Sequence, residues 1–492
     1  GMLYGATGQD AGSLLRSLVS DQAAVALYPG SRPGTPRWLA AVRARGDTIE
    51  RLLLIGAIVF QWQRVDLVPA SEGRAAVFGY GDKVFGFRDG DVWVLGSDRE
   101  LVEQALRGPR RPLSRDPRIR AARARLPSAH TGFAFLDLEP FAARLAQVGK
   151  PPNIGAALLL GALAEQAPRA PWLALGAALE PADADLRLAL SALIPTSRAS
   201  RTAREAFAGT LEPLPFDLGD RALGQLRLHR DVGALWSHRD DLIAEAGIPG
   251  LVTFETNFGV ITGGMNLVEE FLPSLVGDVS IVATRASWGQ GPAPLPRYPQ
   301  AALLLRIREP AELAPRLAVG FQTLIGLVNA NRSQNGQKPL LLGSETHDGV
   351  VVHSARFLAP TPAEMEGLRA LPVRFNFSPA HAVVGEHLVL ATAPDIVREL
   401  IDAHGTPPPE TDAVNARLAL RGSEVARTLE ENREPLIAQN MLNEGNSREE
   451  AERAIGFVLD VARYIRGATL SHESLDGMAR IDLQIGLGAP EP

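Results

Sequence analysis

The chain reads as an α+β protein, with mainly antiparallel sheets and helices packed on one face, in two related lobes. Three observations predict this. Apolar and polar residues alternate over many short runs separated by glycine turns, which is the period of strands joined in hairpins. Capped segments of helical period follow several of those runs. The order of the pieces then recurs once along the 492 residues, as an internal duplication.

Residues 1–199 make up the first repeat unit and 213–492 the second. The first opens with two strands, the second of them at 38–45, and a helix from Asp47. A run of about four strands ends in the hairpin strand 91–97, entered from Asp89-Gly90. Ser97-Asp98-Arg99-Glu100 reads as a capping box for a helix over 101–106. Strand 133–138, helices around 141–148 and over Ile154–Gln166, and strands 172–179 and 185–193 complete the unit. In the second unit, 213–298 is a strand–helix opening, with strand 222–228 and a helix from Asp231. Residues 299–404 form its core, and 413–492 close it with strand 414–420, helices from Ser423 and Ser447, and a hairpin after Gly467. The last of these helices has a full capping box, Ser447 to Glu450, an apolar stripe from Ala451 to Ile465, and Gly467 at the C′ place.

The units align by pattern rather than by letters. Residues 91–97 match 386–392, and 186–190 match 481–485, both at an offset of 295. Upstream, 17–21 resembles 274–278 and 38–45 resembles 301–308, at offsets of about 257 and 263. Residues 213–270 have no partner. Their counterpart falls ahead of residue 1, so the first unit is expected to lack a strand–helix piece, either trimmed away or lost in evolution. In the trimmed case a secretion signal would have gone with it, and Gly1 before Met2 is the pattern left by tag removal.

Composition bounds the function. With 46% hydrophobic and 22% charged residues this is an ordinary globular composition. A net charge of −6 argues against a nucleic-acid partner. The stretch 154–164 is too short to span a bilayer, so no transmembrane segment is expected. The chain has no cysteine, which excludes disulfides, thiolate metal sites and cysteine nucleophiles. Templates for a P-loop, a nucleophile elbow, a zinc-protease helix and a dinucleotide loop all fail, and no cofactor is expected.

The segments 272–278, 299–306 and 387–392, each leading into a strand or a helix, resemble a bacterial family, the domain of unknown function 3352. The resemblance covers most of 215–404 and, more faintly, 13–195. It implies an exported or envelope-associated protein, often with an N-terminal anchor, and no catalytic residue.

Histidines and carboxylates give the candidate sites. His229, His238, Asp240 and Asp241 bracket a strand–helix junction, where imidazole and carboxylate suit zinc or manganese. Glu345, His347 and His353 flank the turn at Asp348-Gly349, where the two histidines on opposite strands would face each other as a ligand pair. His381 and His387 flank Gly385 in the same manner, beside Glu386. Asp137 and Glu139, at i and i+2, form a further acid pair. Each set also has a plainer reading as solvated hairpin or helix-start residues. The leading expectation is a non-catalytic exported or envelope-associated protein that binds a protein partner or an apolar ligand, such as a lipid, in an inter-lobe groove. The alternative is a metal-dependent hydrolase that uses one of the histidine clusters.

Overall fold

The computed structural model describes residues 23–28, 37–43, 49–50, 53, 63–68, 76–81, 83–108, 113–127, 131–145, 149–182, 185–288, 293–361, 365, 370–405 and 413–489. The chain forms two compact units, Gly1–Pro117 and Arg118–Pro492. The expected repeat units do not coincide with them, because residues 118–199 belong to the second compact unit. The apolar stretch at 52–60, the segment 17–21 and the triple proline at 407–409 lie outside the described residues, apart from Leu53.

In the first compact unit six strands form one antiparallel sheet. They are β1 (Ala23–Tyr28), β2 (Arg37–Arg43), β3 (Arg64–Val68), β4 (Val77–Tyr80), β5 (Val84–Asp89) and β6 (Val92–Gly96), in the order β1-β2-β6-β5-β4-β3. Phe78, Tyr80 and Trp93 meet edge to face on one side, and helix Arg99–Leu106 packs Val102 against Val77, Phe87 and Val94 on the other.

The second unit holds an antiparallel sheet of 13 strands. These are β7 (Gly132–Asp137), β8 (Trp172–Ala182), β9 (Asp185–Pro195), β10 (Ala222–His229), β11 (Leu275–Thr284), β12 (Gln300–Ile307), β13 (Leu340–His347), β14 (Val350–Phe357), β15 (Ala380–Val384), β16 (His387–Ala391), β17 (Ala416–Arg421), β18 (Ile465–Leu475) and β19 (Met478–Leu487). Their order is β13-β14-β15-β16-β12-β11-β10-β17-β18-β19-β9-β8-β7. The stretch β11-β12-β16-β15-β14-β13 has the strand order of the first unit's sheet. Registers correspond as well: Leu39 opposite Gly96 and Phe85 opposite Gly96 become, at offsets of 263 and 295, Ala302 opposite Ala391 and Ala380 opposite Ala391. Strand–helix–hairpin groups then follow in both halves, and their hairpins join edge to edge where β9 pairs with β19 from Leu186↔Leu487 to Pro195↔Met478.

Local chemistry corrects several expectations. Asp98, not Ser97, caps helix Arg99–Leu106, accepting from the Glu100 and Leu101 N–H groups. Ser97 Oγ instead accepts from the Trp38 N–H at 2.9 Å, and Thr392 Oγ1 accepts from the Ala301 N–H at 2.9 Å. Each hydroxyl therefore extends a strand pairing rather than starting a helix. The capping box at Ser447 and Glu450 is present, but helix Arg448–Tyr464 runs straight into β18, so Gly467 is a strand residue and not a C′ cap. Three helices, not two, fill 422–464. Asn432 breaks the first from the second, and its amide donates to the Arg297 and Thr428 carbonyls.

Candidate functional site

A strand's successive side chains point to opposite faces, and residues directly opposite on paired strands share a face. This lets one face of the large sheet be followed from strand to strand. Leu303 on β12 lies between Leu390 on β16 and Ile281 on β11. Ile281 faces Leu226 on β10, which faces Leu418 on β17. The row continues through Leu470, Leu483 and Leu190 to Ala177 on β8. Nine consecutive strands thus present one aliphatic residue each, in a single cross-strand ladder. At the strand spacing of ~4.8 Å the ladder runs about 38 Å.

None of the nine is buried. The contrast with their immediate neighbours is sharp. Ile281 is 39% exposed and Val282 1%; Leu390 is 41% exposed and Val389 0%. Val282, Leu304 and Val389 pack beneath helix Pro394–Asp402 with Ile396, Val397 and Leu400. The same covered face carries polar groups farther along: Arg480 holds Asp482 at 2.8 Å, and Ser191 donates to Asp482 across the β9–β19 pairing. The ladder row is aliphatic, but one step along the strands on the same face Leu228, Val279 and Leu388 are 4%, 6% and 1% exposed, so only part of that face is open. Leu313 of helix Pro310–Gln334 packs on Ile307 and Leu388, and Phe321 lies 4.8 Å from the His381 ring. At another margin Leu163 and Ala167 pack against Ile194 and Ala479.

The histidine candidates take separate partners. His353 lies opposite Ser344 and His347 opposite Val350, which puts the two imidazoles on opposite faces of the hairpin, not facing each other. Across a two-residue turn, residues an odd number apart share a face; His347 and His353 are six apart, and this even spacing breaks the expected ligand pair. His347 Nε2 instead meets Asp402 Oδ1 at 2.6 Å, with Asp348 completing a small His–Asp–Asp group at an exposed corner. Glu345 pairs with Arg398, which also holds Asp395. His353 stacks on His381, with centroids 4.9 Å apart.

His229 and His238 likewise do not share a ligand position. His229 Nδ1 meets Asp278 at 2.8 Å, and its ring sits between the backbones of Gly209 and Gly277, where a Cβ would come within 2.4 and 2.6 Å of it. His238 is 3.7 Å from Glu205. Asp240 and Asp241 lie in the helical turn Arg239–Leu242. The Asp137–Glu139 pair is divided between Arg118 and Arg198, at 3.0 Å each.

Burial, more than any neighbouring charge, holds His381, His387 and His472 down to about 4. His353 adds to this at His381, Arg306 at His387, and Arg230 at His472. Arg230 is itself buried and pushed down to about 10 by desolvation. Its guanidinium donates to the Leu158 and His229 carbonyls and to Asn415 Oδ1, while Asn415 Nδ2 donates to the Phe207 and Gly209 carbonyls. This is a cross-link of backbone carbonyls rather than a reactive centre. Sequence reasoning passed over it because Asn415, which ties it together, lies 185–208 residues from Arg230, Gly209 and Phe207.

Helix Pro310–Gln334 alters a further expectation. Among the described residues it is long and apolar enough to cross a membrane by length and composition, with 17% of its apolar window buried. Gln322, Thr323 and Asn329 dilute it, so a search for an unbroken apolar run passes it over. A shallow pocket of about 490 Å³ lies beside helix Ile248–Ile261, lined by Arg239, Glu255, Thr256 and Asn266 among others, and it includes none of the histidine candidates. Compared with family models, curated proteins and solved structures, the chain matches none.

Proposed function

We propose that this protein binds the acyl chains of a lipid on the aliphatic face of its large sheet. The observation that carries the reading is the ladder from Leu390 to Ala177, nine side chains wide with none of them buried. Contiguous apolar surface on this scale marks a binding face. Its chemistry selects the ligand. Protein interfaces concentrate aromatic and arginine anchors, whereas the ladder offers only Leu, Ile and Ala. Such a surface rewards methylene burial, about 0.8 kcal/mol per CH₂, and asks for no hydrogen bond. The ladder's ~38 Å exceeds the ~30 Å hydrocarbon thickness of a bilayer, room for acyl chains laid across the strands. On this reading the ligand lies on a sheet face within the second unit, in place of the expected inter-lobe groove. It joins with the envelope association implied by the resemblance to the domain of unknown function 3352, a kinship that belongs to the same proposal.

The test is uptake of a fluorescent long-chain fatty acid by delipidated protein. Leu470→Glu and Leu190→Glu should each weaken uptake at least tenfold while leaving the melting temperature nearly unchanged. Unaltered uptake in both variants would overturn the reading, and so would a solution dimer that binds no fatty acid.

We also infer that the two halves are copies of one ancestral unit. The shared strand order and the two hydroxyl–backbone bonds at Ser97 and Thr392 support this.

A further inference from the structure

The cross-strand row does not end at Leu390. Register carries it through three further strands: His381 on β15 lies opposite Leu390, His353 on β14 opposite His381, and Ser344 on β13 opposite His353. Directly opposite residues share a face, so nine aliphatic side chains are followed by two imidazoles and a hydroxyl. The row is apolar along most of its length and polar at one end.

That end is unlike the rest of the row. The His353 and His381 rings stack with centroids 4.9 Å apart and 17° between their planes. His381 is 3% exposed, and among the described residues neither of its ring nitrogens has a hydrogen-bond partner. A polar group buried in this way needs a partner from somewhere. His353 is half-buried and Ser344 exposed, so the row opens toward water at its tip. Positive charge gathers alongside. Phe357, four residues beyond His353 on β14, carries two guanidinium groups over its ring, Arg332 at 4.9 Å and Arg374 at 6.0 Å. Arg332 also donates to the Lys338 carbonyl, and among the described residues neither arginine has a carboxylate partner. Glu345, next to Ser344, points to the opposite face, where Arg398 binds it together with Asp395.

We infer that this end of the row receives the anionic headgroup of the lipid whose acyl chains lie along the leucines. The imidazoles of His353 and His381 and the hydroxyl of Ser344 donate to its oxygens, and Arg332 and Arg374 add positive potential at the same end. Donors that meet a charged oxygen bind it more strongly than a neutral one, which favours an acid over an ester or an alcohol. Burial holds the His381 ring neutral at pH 7, so it offers one N–H rather than a charge. The inference rests on the lipid reading and adds the class of ligand to it: a long chain with an acid at one end.

The test compares a fluorescent long-chain fatty acid with its methyl ester on the delipidated 492-residue chain. The acid should bind at least tenfold more tightly. His353→Phe keeps a ring in the stack and removes the donor; it should weaken the acid at least tenfold and the ester less than twofold. Arg332→Gln should weaken the acid at least threefold with the ester again unchanged, and it carries the test if the melting temperature shows that His353→Phe does not fold. Leu470→Glu should weaken both ligands together. Equal binding of acid and ester overturns the headgroup inference and leaves the lipid reading standing, as does an equal effect of the His353 and Arg332 variants on both ligands. Binding of neither overturns both.

Discussion

The two faces of the large sheet are built from similar residues and meet opposite surroundings. Under helix Pro394–Asp402, Val282, Leu304 and Val389 are closed off from water; one residue away on each strand, Ile281, Leu303 and Leu390 are not. Aliphatic content alone therefore does not tell which face is core. What decides it is whether an amphipathic helix is available to lie on that face. Helix Pro394–Asp402 aims Ile396, Val397, Leu400 and Ile401 at one side of the strands, whereas the nine ladder residues on the other side all keep some exposure.

Neighbouring residues offer the sharpest way to break this comparison. Leu304→Ala should lower stability by about 2–5 kcal/mol, because it empties a closed core position. Leu303→Ala, one residue away, should lower it by less than about 1 kcal/mol, since its side chain already meets water. Urea unfolding of the two variants measures the difference, and equal losses would mean that the ladder face is covered.

The buried histidines supply a smaller contrast that depends on pH. His387 lies on the covered face, and His381 and His472 at closed margins of the other. Their folded values near 4 lie below the ordinary 6.5, so the unfolded chain binds protons first as pH falls. Stability present above pH 6.5 should thus be lost progressively toward pH 4, by on the order of 3 kcal/mol per ring. His381→Phe should flatten that slope in thermal melts between pH 7 and 4, and an unchanged slope would show that this ring is already hydrated.

The smallest effect belongs to the rim of the covered face. Arg398 bridges Glu345 and Asp395, but all three are substantially exposed. Arg398→Ala should cost less than about 1 kcal/mol, and less again in high salt. A larger loss in urea unfolding would show that this ion pair closes the helix onto β13.

Much of the fold was legible because short-range rules govern it. Asp348-Gly349 makes its turn with both residues at positive φ, Asp231 caps its helix, and Ile154–Gln166 is helical over its predicted length. The α+β class followed from the same rules. The site was less legible. The alternation Leu186-Arg187-Leu188 reads as a sheet with its apolar side buried, yet Leu186 is 46% and Leu190 38% exposed. Periodicity assigns residues to faces but does not say which face a distant helix will cover. The histidines failed for a related reason. Proximity in sequence suggested His347 with His353 and His229 with His238, while the partners that mattered, Asp402 and Asp278, arrive from other elements.

The pairing of β9 with β19 also has a consequence for how the chain is made. Met478 leaves the ribosome 283 residues after Pro195, its partner across the sheet. At ~5–20 residues per second, that is a wait of roughly 15–60 s. Throughout it the β7–β9 group exists with a ten-residue hydrogen-bonding edge and a row of leucines on offer to any neighbour. Synthesis in the cell therefore has to shield an early-finished piece until the last hairpin emerges to complete it.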